Sequence, residues 1–228
     1  MGSNFHMGYN VDIAMCIDAT GSMRHILDTV KTNALNFYSD LMNSMSRKGK
    51  HVDELRVRLI IFRDYMADKE NAMLVTEFFP LPSAAKEFEG VIKSVMPTGG
   101  GDEPEDGLEA LAYAMKSKWT TGGDKRRHII VVWSDDGTHA LGFGSKAPNY
   151  PGKMAKDFDE LTEWWGDAQE PGVMDSHAKR LLIYAPDKKY WNVISDNWDN
   201  VIHFPSEAGK GLAGLEYEEI LNAIANSI

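Results

Sequence analysis

Val11-Asp12-Ile13-Ala14-Met15-Cys16-Ile17-Asp18-Ala19-Thr20-Gly21-Ser22-Met23 decides how the rest of the chain is read. An almost unbroken apolar run of strand length stops at Asp18, the pattern of a parallel strand buried on both faces. A polar turn follows. Apolar residues then recur at Ile26, Val30, Ala34, Phe37, Leu41 and Met45, a spacing that predicts one long amphipathic helix. Outward from this unit the alternation continues. Strands are expected over 55–62, 73–79, 128–133, 179–184 and 201–204. Helices are expected over 83–95, with Ser83 as N-cap, from Pro104 or Glu105 to 116, near 156–168, near 188–194 and over 215–228. Residues 138–151, rich in Gly, Pro and Asn, read as a long surface loop. Strands alternating with helices predict an α/β fold: a three-layer, Rossmann-like sandwich with a mostly parallel central sheet covered on both faces. Functional groups should then gather on loops at the carboxyl ends of the strands.

Composition narrows the class. At 228 residues the chain suits one large α/β domain, expected over 8–228, with residues 1–7 set aside as a cloning remnant ahead of a second Met. No apolar run is long enough to span a bilayer, so no membrane segment is expected. Lys and Arg number 24 against 34 Asp and Glu, and the net charge of −10 would repel a phosphate backbone, so no nucleic-acid partner is expected. The single cysteine, Cys16, forbids an intrachain disulfide and a multi-cysteine zinc site, which fits a reducing, cytoplasmic location.

Three loops carry the chemistry. Asp18, Thr20 and Ser22 alternate along a turn, so one carboxylate and two hydroxyl oxygens can face a common centre, with Gly21 permitting the tight backbone. Such hard ligands select Mg2+, Mn2+ or Ca2+. The simpler alternative makes Asp18 a strand terminator and Thr20 or Ser22 a helix cap. The loop 98–106 places Asp102, Glu103, Glu105 and Asp106 beside three glycines, a concentration of like charge that needs a counterion unless it is a solvated acidic helix start. Asp135 and Asp136 follow a buried strand, where adjacent carboxylates need a partner or open water, although Asp-Gly also forms turns.

Together these pieces resemble the von Willebrand factor type A (vWA) domain and its metal-ion-dependent adhesion site. Ile17-Asp18-Ala19-Thr20-Gly21-Ser22-Met23 is similar to the family's Asp-x-Thr/Ser-x-Ser loop in its Asp-x-Thr-Gly-Ser-Met form. Phe62-Arg63-Asp64-Tyr65, residues 98–105 and residues 133–139 follow in family order. The resemblance implies one divalent cation, usually Mg2+ with Mn2+ or Ca2+ as alternatives, at the carboxyl edge of the sheet. It implies Asp18, Thr20 and Ser22 as direct or water-mediated ligands and Asp135 as the third-loop acid. Its second-loop Thr has no clear counterpart, and Asp102 takes that place ahead of Thr98. Asp136 remains the alternative to Asp135. The function implied is non-catalytic: a protein partner offers a Glu or Asp carboxylate to the cation, and loops 98–106 and 138–151 form the rim that selects it.

Two other functions fit less of the sequence. Asp18-Ala19-Thr20-Gly21-Ser22 is also similar to the nucleophile motif of haloacid-dehalogenase-type phosphohydrolases, with Asp18 as nucleophile, but no hairpin or cap insertion follows. A scaffold with a vestigial metal site is the second. Residues 196–200 lack the Gly and Glu of an EF-hand loop, and the Gly-rich loop lacks the Lys of a P-loop. His139 reads as loop packing or solvent contact, Arg63 and Asp64 as a structural ion pair or loop bond, and Trp164 and Trp165 as a pair with one member in the core.

Overall fold

The computed structural model describes residues 8–99 and 104–228. Its strands are β1 (Gly8–Asp18), β2 (His51–Phe62), β3 (Met73–Val75), β4 (Phe79–Leu81), β5 (Lys125–Trp133), β6 (Lys179–Pro186) and β7 (Val201–Ser206). The helices are α1 (Arg24–Asn33), α2 (Phe37–Arg47), α3 (Tyr65–Asp68), α4 (Ala85–Ser94), α5 (Gly107–Met115), α6 (Phe158–Trp165), α7 (Trp191–Asn197) and α8 (Tyr217–Ser227). The sheet order is β3-β2-β1-β5-β6-β7, with β4 also pairing β2. β2, β1, β5, β6 and β7 are parallel, and only β3 and β4 run antiparallel, on the outer side of β2.

The pleat of β1 explains the layers. Val11, Ile13, Met15 and Ile17 face a cluster holding Ile26 of α1, Leu41 of α2, Phe88 of α4 and Ile224 of α8. Ala14 and Cys16 point the other way, into a cluster with Leu108 and Leu111 of α5, Trp165 of α6 and Trp191 of α7. The second face of β1 carries small side chains, so α5 lies close: Cys16 Sγ is 3.7 Å from the Ala110 carbonyl. Burial pushes the Cys16 thiol well above its ordinary range. The result is an α/β sandwich with a mostly parallel central sheet between two helical layers.

Several local expectations are corrected. The single long helix is two, because Asn36 N–H turns back to the Asn33 carbonyl at 3.0 Å and the Asn33 amide donates to the Thr29 carbonyl at 2.8 Å. These bonds tighten the chain between α1 and α2. Residues 73–79 form the end-to-end pieces β3 and β4 instead of one strand, with Thr76 between them donating its N–H to the Leu59 carbonyl. Ser83 does not cap α4; its hydroxyl donates to the Pro80 carbonyl at 3.0 Å. The segment 138–151 is no plain surface loop, since Thr138, His139, Leu141 and Ala147 are buried. Of the two tryptophans, Trp165 is buried, while Trp164 lies under the Lys116 ammonium. No described helix is long and apolar enough to cross a membrane.

Candidate metal centre

Going outward from β1, the chain passes to β2 on one side and to β5, β6 and β7 on the other. The carboxyl ends of β1 and β5 therefore flank a topological switch point, where open α/β sheets leave a crevice. Asp18 ends β1 there, 1% exposed. Its Oδ1 accepts the Thr20 N–H at 2.9 Å and the Thr20 hydroxyl at 2.6 Å, and its Oδ2 accepts the Ser134 hydroxyl at 3.0 Å. The Thr20 and Ser22 hydroxyl oxygens are 3.4 Å apart, and Ser22 donates to Asp135 Oδ1 at 3.0 Å. Four of the sequence-selected residues, Asp18, Thr20, Ser22 and Asp135, thus lie in one hydrogen-bonded group. Burial is the main cause lifting the Asp18 carboxyl to about 6; the Thr20 and Ser134 donors oppose it and the Asp135 charge adds to it.

The remaining candidates separate. Asp136 turns away from this group: its Oδ1 pairs with the Lys188 ammonium and accepts the Gly137 N–H, while its carbonyl accepts the Trp191 indole N–H at 3.1 Å. Adjacent residues leaving a strand point in opposite directions, so Asp135 enters the crevice and Asp136 leaves it. Thr98 is exposed, and among the described residues its hydroxyl reaches only the Met96 carbonyl, at 3.5 Å. Asp102 lies outside the described residues. Gly21 is not needed for a tight turn, because its φ is not positive and an added Cβ would meet nothing within 4 Å.

Two supports were not read from the sequence. Ser134 anchors the far oxygen of Asp18. The loop after β7 closes over Asp135: Gly211 N–H donates to its Oδ2 at 2.9 Å and Gly209 N–H to its carbonyl at 2.7 Å. Gly211 has φ +58°, and a Cβ there would sit 2.0 Å from the Ser22 carbonyl oxygen, so only glycine fits. Gly209-Lys210-Gly211, separated by two residues from the end of β7, was the available signal. Arg63 holds the neighbouring loops, as a loop bond and not as an ion pair with Asp64. It donates to the carbonyls of Ala19 (3.2 Å), Thr98 (2.7 Å), Met96 (2.7 Å) and Asn71 (2.9 Å).

A second grouping lies beside the first. Ligand atoms of Asp64, Asp106 and His139, all buried, fall within 4.8 Å of one another. Asp64 follows β2, Asp106 stands at the start of α5, and His139 follows β5. The segment carrying Asp106 is tied to the post-β5 loop by a parallel bridge between Glu105 and Thr138, and Glu105 accepts the His139 N–H at 2.9 Å. Glu105 and Asp106 are therefore not the solvated helix start that the sequence allowed; they are 4% and 0% exposed. Burial, then the charges of Asp18, Asp68, Asp64 and Asp106, lift Glu105 to about 9. Burial, then Glu109, lifts Asp106 to about 8. His139 is not in solvent. Its ring stacks on Phe143 at 3.9 Å, and its Nε2 lies 3.9 Å from Asp64 Oδ2.

No family model matches the sequence, and no curated protein matches it. Solved structures do match. The crystal structure of the pilus adhesin SpaC from Lactobacillus rhamnosus GG aligns over 97% of this chain and 31% of its own, at TM-score 0.52 and 14% identity. Proximal thread matrix protein 1 from the mussel byssus aligns over 96% of this chain and 49% of its own, at TM-score 0.51 and 12% identity. A von Willebrand factor type A protein from Catenulispora acidiphila aligns over 96% and 43%, at TM-score 0.53 and 12% identity. The chain thus spans about a third to a half of the proteins it matches, and at these identities the likeness is one of fold. The chain has a von Willebrand factor type A-like fold, and the carboxyl edge of its sheet carries a buried Asp/Asp/His cluster able in principle to coordinate a divalent cation.

Proposed function

We propose that the chain is a non-catalytic, divalent-cation-dependent protein-interaction domain. Asp18, Thr20, Ser22 and Asp135, together with Asp102, would hold Mg2+, with Mn2+ or Ca2+ as alternatives. The observation that carries this reading is the convergence of Asp18, Thr20, Ser22 and Asp135 from two loops into one all-oxygen group at the switch point. That donor set fits a hard cation. When bound, the cation would supply a Lewis-acidic attachment point for a Glu or Asp carboxylate of a protein partner. The chain's own residues set the conditions. Ser134 and Thr20 orient the Asp18 carboxylate, Gly211 and Ser22 orient Asp135, and Arg63 fixes the first loop against the segment 96–98.

Calorimetric titration of the chelator-treated protein with Mn2+ tests the site, with Asp18→Ala expected to lose binding while keeping its fold. Unchanged Mn2+ binding in that variant would overturn the assignment. Partner capture that is insensitive both to chelator and to Asp18→Ala would favour a scaffold. Mg2+-dependent phosphate-ester hydrolysis lost in Asp18→Asn would favour the enzyme.

A further inference from the structure

We propose that Asp64, Asp106 and His139 form a second, buried metal site, for Zn2+, that staples the loops after β2 and β5 to the start of α5. It shares no residue with the Asp18 group and does not rest on that reading. Each carboxylate has one oxygen pinned by backbone: Asp64 Oδ1 accepts the Met66 N–H at 2.6 Å, and Asp106 Oδ2 accepts the Tyr65 N–H at 2.7 Å. The other oxygens, Asp64 Oδ2 and Asp106 Oδ1, are buried without a hydrogen-bond partner among the described residues, and both side chains belong to residues that are 0% exposed. Carboxylate oxygens without donors are costly in an interior, and a cation is the group that answers several of them at once.

The geometry fits such an ion. Ligands around a tetrahedral zinc stand roughly 3.4 Å apart. The three ligand atoms within 4.8 Å, with Asp64 Oδ2 already 3.9 Å from His139 Nε2, need only small side-chain rotations to close on one centre. Stacking on Phe143 sets the plane of the His139 ring, and the backbone bonds to Asp64 and Asp106 act as the outer support that metal ligands ordinarily have. Two carboxylates with one imidazole suit zinc better than the hard ions assigned to the Asp18 group, which prefer oxygen and retained water. Nothing in the Asp18 group supplies a nitrogen ligand, so the two sites differ in the ions they select.

The test uses metal alone. Chelator-stripped protein is loaded with Zn2+, desalted and assayed for retained metal; a parallel sample is loaded with Co2+ and its visible d–d absorption recorded. Wild type should retain about one equivalent of Zn2+ and show Co2+ bands. His139→Ala should lose the bands and bind at least roughly 100-fold more weakly, whereas Asp18→Ala should keep both. Asp64→Asn, checked by circular dichroism, gives a second reading; should it not fold, the His139 variant decides. No retained Zn2+ in wild type, Co2+ bands unchanged in His139→Ala, or retention lost in Asp18→Ala and kept in His139→Ala would each overturn the proposal. Loss of Mn2+ titration in Asp18→Ala with Zn2+ retention intact would separate this site from the adhesion-type one.

Discussion

Asp18 and Asp106 are both buried carboxylates at the carboxyl edge of the same sheet, yet they are answered in opposite ways. Asp18 has donors on both oxygens, from hydroxyls and one backbone N–H of short polar loops. Asp106 has one backbone donor and one oxygen with none, amid Asp64, Glu105 and Glu109. The first group is internally satisfied and opens towards solvent through the exposed Ser22; the second is enclosed and in electrostatic debt. The difference teaches that satisfied hydrogen bonding and metal demand are separable properties of neighbouring acids.

Arg63 stands between the two groups, facing Asp68, Asp18 and Glu105 and bonding four carbonyls. Arg63→Ala should break the contrast by loosening both groups together. The expected loss is about 3 kcal/mol or more, read by denaturant unfolding, because several buried acceptors lose a charged donor at once. An effect confined to one group would show that Arg63 does not link them.

Metal-free protein should sharpen the contrast through pH. Asp18 is lifted to about 6, Asp106 to about 8 and Glu105 to about 9, in each case chiefly by burial. The folded state then keeps protons that the unfolded chain gives up above about pH 4. Stability from these groups is full below that value and is lost as pH rises through the folded values. In chelator, the melting temperature should fall between about pH 5 and about pH 9, with the Asp18 part complete near about pH 7. Glu105→Gln should make the fall shallower throughout this range and remove most of what remains above about pH 8. A flat wild-type profile would refute the charge assignment.

Ser134→Ala removes the hydroxyl that donates to Asp18 Oδ2 and should cost about 1–2 kcal/mol while weakening Mn2+ binding about tenfold, with Zn2+ retention unmoved. Calorimetry and retained-metal assays separate the two readouts. Gly21→Ala should change stability by no more than about 0.5 kcal/mol, since its Cβ meets nothing and its backbone is ordinary. A larger loss by thermal melting would show that this loop is tighter than its geometry indicates.

The first group was legible because its signal is local. Asp18, Thr20 and Ser22 sit at alternate positions of one turn, and the apolar run before them identifies a central strand. The central parallel strands were legible for the same reason, each being a short apolar run ending in polar residues. Asp135 was preferred to Asp136 through the family resemblance alone, since adjacent carboxylates differ only in the direction each side chain takes, and that direction shows only in the bonds to Ser22 and Lys188. The second group was not legible at all: Asp64, Asp106 and His139 are brought together only by the order of β2, β1 and β5 and by the Glu105–Thr138 bridge. Its sole local trace was the crowding of acids around Pro104, which suits a solvated turn equally well. The break between α1 and α2 was hidden because Ala34 and Phe37 keep the helical apolar spacing across it; both are buried.

Cys16, the chain's single thiol, lies on the strand face that receives α5 and is 0% exposed. A maleimide or disulfide reagent therefore has nothing to attack while the sandwich is closed, and labelling must await separation of α5 from the sheet. The native sequence thus contains its own clock for opening events. Because α5 begins beside Asp106, that clock should run more slowly whenever an ion bolts down the helix start, giving a mass-spectrometric record of occupancy without an engineered cysteine.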